Sequence, residues 1–105
     1  MTSARDDHRV HDHIRLATAA IQARNFQSAE ASLKQALALS PGHYDALQLL
    51  GIVKSLQSKQ SEAIPFFLAS LDGKENQANV HCNLGRAFVA TGAYAPAEKH
   101  LQRAI

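Results

Sequence analysis

Residues 44–77, YDALQLLGIVKSLQSKQSEAIPFFLASLDGKENQ, decide the fold, because their pattern recurs on both sides at one interval. Leu50-Gly51 is echoed by Leu16-Ala17 and by Leu84-Gly85, each 34 residues away (50 − 16 = 34; 84 − 50 = 34). Ala63 falls in step with Ala29 and Ala97, Phe67 with Leu33 and Leu101, and Ser70 with Ala36 and Ala104. Each period holds two stretches with apolar residues at helical spacing, so the unit is a pair of helices. Such a unit exposes an apolar face until the next one stacks on it, which makes the chain a short helical repeat array.

The rest of the composition narrows the class. With 105 residues the chain has room for one modest core. A formal charge of +2, from 11 Lys and Arg against 9 Asp and Glu, is too small for a basic nucleic-acid groove. No run of 18 apolar residues exists, so nothing is expected to span a membrane. The opening MTSARDDHRVHDH lacks the apolar core of a secretory signal, and the one cysteine, Cys82, has no internal partner. A soluble, cytoplasmic protein is expected.

Outward from the central stretch, six helices are predicted. Residues 1–9 form a polar lead-in, and Asp6 or Asp7 caps a first helix that runs to about Ala23. A second helix covers about Gln27 to Leu39, stopped by Ser40-Pro41-Gly42. The third spans about Tyr44 to Gln57 and the fourth about Ser61 to Leu71, with Pro65 tolerated near its first turn. Asn76 caps a fifth helix, Gln77 to Ala90, which Thr91-Gly92 ends through a left-handed glycine; Pro96 opens the sixth. The repeats are therefore 10–43, 44–77 and 78–105, the third incomplete. Within each pair the helices cross where side chains are nearly absent. Ala17, Gly51 and Gly85 are expected to meet Ala29, Ala63 and Ala97, with Leu16, Leu50 and Leu84 filling the space beside them.

These residues resemble the tetratricopeptide repeat family over roughly Val10 to Ile105. LLGIVKSLQ (49–57) and NLGRAFVATGAYAPAEKHLQRAI (83–105) are similar to its repeat, down to Gly92, Tyr94 and Ala97. The sequence departs from it where a first-helix aromatic is usual (His13, Leu47, His81) and at the next large site, where Ala20 and Lys54 stand and only Phe88 fits. The resemblance implies an all-α, right-handed superhelix of antiparallel helix pairs. Its concave face, lined by the first helix of each pair, would hold a peptide or partner segment. One subgroup of the family grips chaperone tails by their terminal carboxylate, using Lys, Asn and Arg. Here those positions hold Ile14, Thr18, Leu49, Asn79 and Asn83, so that clamp is missing. The asparagine ladder of sugar-transferase relatives is matched by Asn83 alone, with Arg15 and Leu49 at the other rungs.

No chemistry of catalysis stands out: there is no glycine-rich phosphate loop, paired carboxylate face or nucleophile elbow. Asp7, His8, His11, Asp12 and His13 are dense, but solvated residues at a helix start explain them better than a metal site. Cys82, with Arg86 one turn on, is read as a small groove-lining residue and not as a reactive thiol. No cofactor, metal or catalytic residue is assigned. Helix geometry lines the groove with His11, Ile14, Arg15, Thr18, Ile21 and Gln22, then with Asp45, Gln48, Leu49, Ile52, Ser55 and Leu56, then with Asn79, Cys82, Asn83, Arg86 and Val89. Leu49, Ile52 and Leu56 form a second apolar stripe on the third helix, whose other stripe faces the core. A helix apolar on two faces needs two burial partners.

The sequence thus reads as an interaction module that holds a protein or peptide segment in its groove, with Arg15 and Arg86 as polar anchors. The alternatives are an accessory domain of a larger enzyme (a glycosyltransferase, sulfotransferase or aspartyl/asparaginyl hydroxylase) and a self-assembly module. Ala97, Leu101, Ala104 and Ile105 would give the latter an apolar C-terminal edge and so a homo-oligomer.

Overall fold

The first helix lies antiparallel to the second because only three residues, 23–25, separate them, and three more, 57–59, join the third to the fourth. A computed structural model describes residues 4–74, 77–93, 96, 99–100 and 103, the first four of them by backbone alone. Among these are α1 (Ala4–Gln22), α2 (Phe26–Leu39), α3 (Tyr44–Leu56), α4 (Gln60–Gly73) and α5 (Ala78–Ala90). Positions 96, 99, 100 and 103, where the sixth helix is expected, are helical. The architecture is all-α, as the 34-residue period requires.

One turn is built three times. Arg24, Ser58 and Gly92 have φ of 59°, 63° and 83° and stand 34 residues apart. After each, an amide closes back five residues: Asn25 to the Ala20 carbonyl, Lys59 to Lys54 and Ala93 to Phe88, at 2.8, 2.8 and 2.7 Å. This closure satisfies carbonyls the helix end would otherwise leave bare, and it needs a left-handed residue to turn the chain. Glycine suits that residue, and only the third repeat has it.

Curvature follows from which helices touch. The first helices form a row, with α1 against α3 and α3 against α5, whereas α2 and α4 nowhere bring Cα atoms within 8 Å of each other. The array is therefore closed along its first helices and splayed along its second, and the first helices line the inner side.

The core divides between repeats rather than within them. Leu50, Ala46 and Val53 of α3 pack with Val10, Ala17, Ala29, Leu33 and Ala36 of the first pair. Val80 and Leu84 of α5 pack likewise with Ala63 and Phe67 of α4. Each first helix thus closes the pair before it. This corrects the expectation for Leu16, which is 60 % exposed while Leu50 and Leu84 are 2 % and 0 %. No described helix precedes α1, so Leu16 has nothing to close. At Gly51 a Cβ would lie 2.5 Å from Cε1 of Phe67, so the three atoms nearest to it belong to that ring.

Several boundaries shift. Because α1 begins at Ala4, Asp6 and Asp7 lie within its first turn and are not caps. There they still oppose the positive end of the helix dipole. Pro65 is the sixth residue of α4, past the amides that lack helical partners, and it removes the donor for the Ser61 carbonyl. Both residues are exposed, so water takes the vacant acceptor. The fourth helix continues through Gly73 instead of ending at Leu71, and α5 starts at Ala78 behind Gln77. The expected cap Asn76, and the contacts of Ala97, Leu101, Ala104 and Ile105, lie outside the described residues.

Polar joints fix the repeats together. Lys54 Nζ of α3 lies 2.9 Å from Glu30 Oε1 of α2 and 3.9 Å from Glu62 Oε1 of α4. Ser70, fully buried, donates its hydroxyl to the Tyr44 carbonyl at 2.8 Å, and the buried Gln77 amide donates to the Ser70 carbonyl at 3.1 Å. The end of α4 is thereby tied to the start of α3 and to the start of α5.

Candidate functional site

A cleft opens on the inner side where α3 and α5 run together. It is lined by Ile52, Ser55 and Leu56 of α3, Asn83 and Arg86 of α5, and Gln60 and Phe67 of α4, and it encloses about 330 Å³. Phe67 is fully buried, so its ring forms the floor, and it can lie that deep only because Gly51 has no side chain. Ile52 leans against the same cluster, and Leu56 at the rim is 42 % exposed. Ser55 and Gln60 satisfy each other, the hydroxyl donating to Gln60 Oε1 at 3.2 Å. Asn83 and Arg86 are one helical turn apart, so their polar ends reach the same mouth. The cleft offers an apolar wall and floor with an amide and a guanidinium at one side.

The remaining predicted groove residues are placed elsewhere. Ile14 and Leu49 are half-buried against the first core cluster, so the second stripe of α3 is divided: Leu49 covers one cluster, Ile52 the next, and Leu56 neither. Thr18 is occupied by its own helix, donating to the Ile14 carbonyl at 2.9 Å. Arg15 pairs with Asp12 and lies at the outer edge of α1 beside Leu16 and Ala19, away from the α3–α5 cleft. Asp45 and Asn79 are exposed in the first turns of α3 and α5, and Gln48 and Cys82 are half-buried. Of the dense histidines near the start, His11 stands edge-on to His43 with ring centroids 6.4 Å apart.

A second concavity, of about 470 Å³, lies on the other side of α5, between Leu68, Leu71, Asp72, His81, His100 and Arg103. His81 fills the aromatic site of its repeat, is 4 % exposed, and places Nδ1 2.8 Å from Nδ1 of His100. The His100 ring also stacks on Phe88, with centroids 5.7 Å apart. Burial, followed by the charges of His81, Arg103 and Lys99, holds the His100 pKa below its ordinary value. Sequence alone did not join His81 to His100, since neither belongs to a recognisable ligand pattern. Phe67 was missed as a cleft residue because its periodicity marks only core.

Stacked antiparallel helix pairs, closed along their first helices and grooved on that side, define a helical-repeat protein. Residues 13–43 match the tetratricopeptide repeat family, so the chain carries a tetratricopeptide repeat within a fold of that kind. No curated protein sequence matches it. Among solved structures it resembles the protein titled "Crystal structure of MamA" (TM-score 0.86, 23 % identity, 90 % of this chain and 56 % of that one). It also resembles PilF of Pseudomonas aeruginosa, with TM-score 0.85, 24 % identity, and 94 % and 45 % of the two chains covered. The Thermobaculum terrenum O-GlcNAc transferase aligns at TM-score 0.91 and 22 % identity, over 97 % of this chain and 20 % of that one. The chain thus spans about half the length of the first two and a fifth of the third. These likenesses establish the fold. Among the described residues no helix is long and apolar enough to cross a membrane.

Proposed function

We propose that the chain is a non-catalytic interaction module that holds a protein or peptide segment on its inner face, in the cytoplasm and without nucleic acid. The carrying observation is the α3–α5 cleft, where an exposed Leu56 and half-buried Ile52 adjoin Asn83 and Arg86 over the Phe67 floor. An apolar side chain of the partner fills the hollow, while the amide and guanidinium hold its polar neighbours. The other groove candidates, among them Gln48, Asn79 and Cys82, extend this surface along α3 and α5. Self-association through the apolar C-terminal stripe of Ala97, Leu101, Ala104 and Ile105 is the alternative role.

Displayed random peptides test the reading. Selected peptides should share an apolar anchor, and Leu56→Asp should weaken their binding about tenfold or more at unchanged melting temperature. Binding that survives both Leu56→Asp and Arg86→Ala would place the site elsewhere. The enzyme-accessory alternative draws on the likeness to the transferase, which sequence adjoining this chain in its gene would decide.

A further inference from the structure

The α3–α5 cleft carries one charge and leaves it unanswered. Among the described residues that line it, Arg86 is the only ionised one. Its guanidinium is exposed, and among the described residues it makes no hydrogen bond or ion pair. Lys54, by contrast, holds Glu30 and Glu62, and Arg15 holds Asp12. Asn83 offers both a donor and an acceptor and so selects no charge, whereas Arg86 offers donors only. The surface on both sides of that guanidinium is apolar. Leu56, across the cleft, is 42 % exposed, and Val89, one turn further along α5, is 46 % exposed. A partner that covers Leu56 and Val89 therefore takes the guanidinium out of water as well. A wholly apolar partner would strand that charge, and a carboxylate would meet it with two parallel hydrogen bonds.

We propose that the occupant of the cleft is an extended peptide segment in which an Asp or Glu side chain stands two positions from an aliphatic anchor. This rests on the reading of the inner face as a peptide-holding surface and names the chemistry of what it holds. The anchor fills the hollow over Phe67, beside Ile52 and Leu56, and the carboxylate pairs with Arg86 at the mouth. Side chains two positions apart share one face of an extended segment, so both groups reach the cleft together. The apolar surface continues past Arg86 to Val89, so the segment runs on beyond the acid. The carboxylate is thus a side chain and not a chain end. A basic residue at the same position would face the guanidinium and be rejected.

Amidated peptide libraries with randomised flanks around a fixed Leu, and with Glu, Gln or Lys two positions from it, test this by fluorescence anisotropy. The Glu peptides should bind at least about tenfold more tightly than the Gln peptides, and the Lys peptides more weakly than either. High salt should narrow the gap. Arg86→Gln should erase the difference between Glu and Gln while the need for Leu persists, with melting unchanged because the side chain is exposed. Arg86→Glu should turn the preference towards Lys, which a merely structural role for Arg86 would not do. Leu-dependent binding that treats Glu and Gln alike overturns the proposal and leaves the peptide-holding surface standing. Binding confined to peptides with a free terminal carboxylate does the same. Binding that needs no Leu and is untouched by Leu56→Asp, or no binding at all, overturns both.

Discussion

The ammonium of Lys54 on α3 reaches the carboxylate of Glu30 on α2 at 2.9 Å, and both side chains are largely covered, 15 % and 19 % exposed. Lys54 occupies a site where the repeat pattern favours a large apolar residue, so an ion pair performs a packing task here. The hydrogen bond to Lys54 is the main reason the Glu30 pKa lies below its ordinary value, and the same bond raises that of Lys54. Removing Glu30 leaves the covered ammonium with Glu62 at 3.9 Å in place of the 2.9 Å contact. Glu30→Leu should therefore cost about 1–3 kcal/mol, and Lys54→Met added to it should recover most of the loss. Urea melts of the two variants and the double variant check the coupling.

The same pair sets a pH dependence. A carboxylate whose folded pKa is depressed contributes stability that is fully present above its ordinary value, 4.5, and lost as pH falls through the folded value. Acidification below about that point should lower the melting temperature of the parent more than that of Glu30→Leu. Equal slopes in the two proteins would deny the pair this role.

A milder acid transition belongs to His100. Its depressed pKa means the folded protein favours the neutral ring, so its share of stability is present above the ordinary 6.5 and lost as pH falls below it. A protonated His100 ring can only donate from Nδ1, which lies 2.8 Å from Nδ1 of His81. Lys99 and Arg103 add positive charge nearby, and Asp72 of α4 is the acidic group facing the same hollow. Hydrogen exchange between pH 7.5 and 5.5 should report loosening of the His100 segment from α5, and His100→Phe should abolish the change.

Gly51 tests the pairing of α3 with α4. Alanine normally improves a helix interior by about 0.5–1 kcal/mol over glycine. Here the added Cβ would stand 2.5–2.8 Å from three atoms of the Phe67 ring. Gly51→Ala should destabilise in spite of the better propensity, by about 1–3 kcal/mol. Phe67→Leu in the same chain should absorb the added methyl and shrink the penalty. A melt in which Gly51→Ala matches or exceeds the parent would deny the close approach.

The left-handed turns invite the opposite change. Arg24 and Ser58 hold φ of 59° and 63°, a region that strains residues bearing a Cβ. Glycine at either site, as at Gly92, should raise stability by about 0.5–1 kcal/mol. No gain at either position would mean that flanking contacts already offset the strain.

The period made the helix pairs legible, because Leu50, Phe67 and Leu84 recur wherever burial demands them. It misplaced Leu16, since a repeat reports the residue and not whether a neighbour is there to cover it. The turns at Arg24 and Ser58 were hidden because hydrogen bonding of the helix end sets their backbone, and the side chains carry no sign of it. In the cleft, Ile52, Leu56, Asn83 and Arg86 were readable from helix geometry. Arg15 was not, because its equivalence to Asn83 ignores that no described helix packs on the outer side of α1. The hydrogen bonds of Ser70 and Gln77 were not readable, since they join residues whose approach only the stacking creates.

The contact between first helices and its absence between α2 and α4 have a mechanical consequence. Shape change in such an array is easiest as a fan pivoting on the packed edge, with α2 and α4 sweeping at the far radius. A partner that wedges α3 from α5 acts close to the pivot, so a small displacement there becomes a larger one at the outer surface. The convex side can thereby register what the concave side holds.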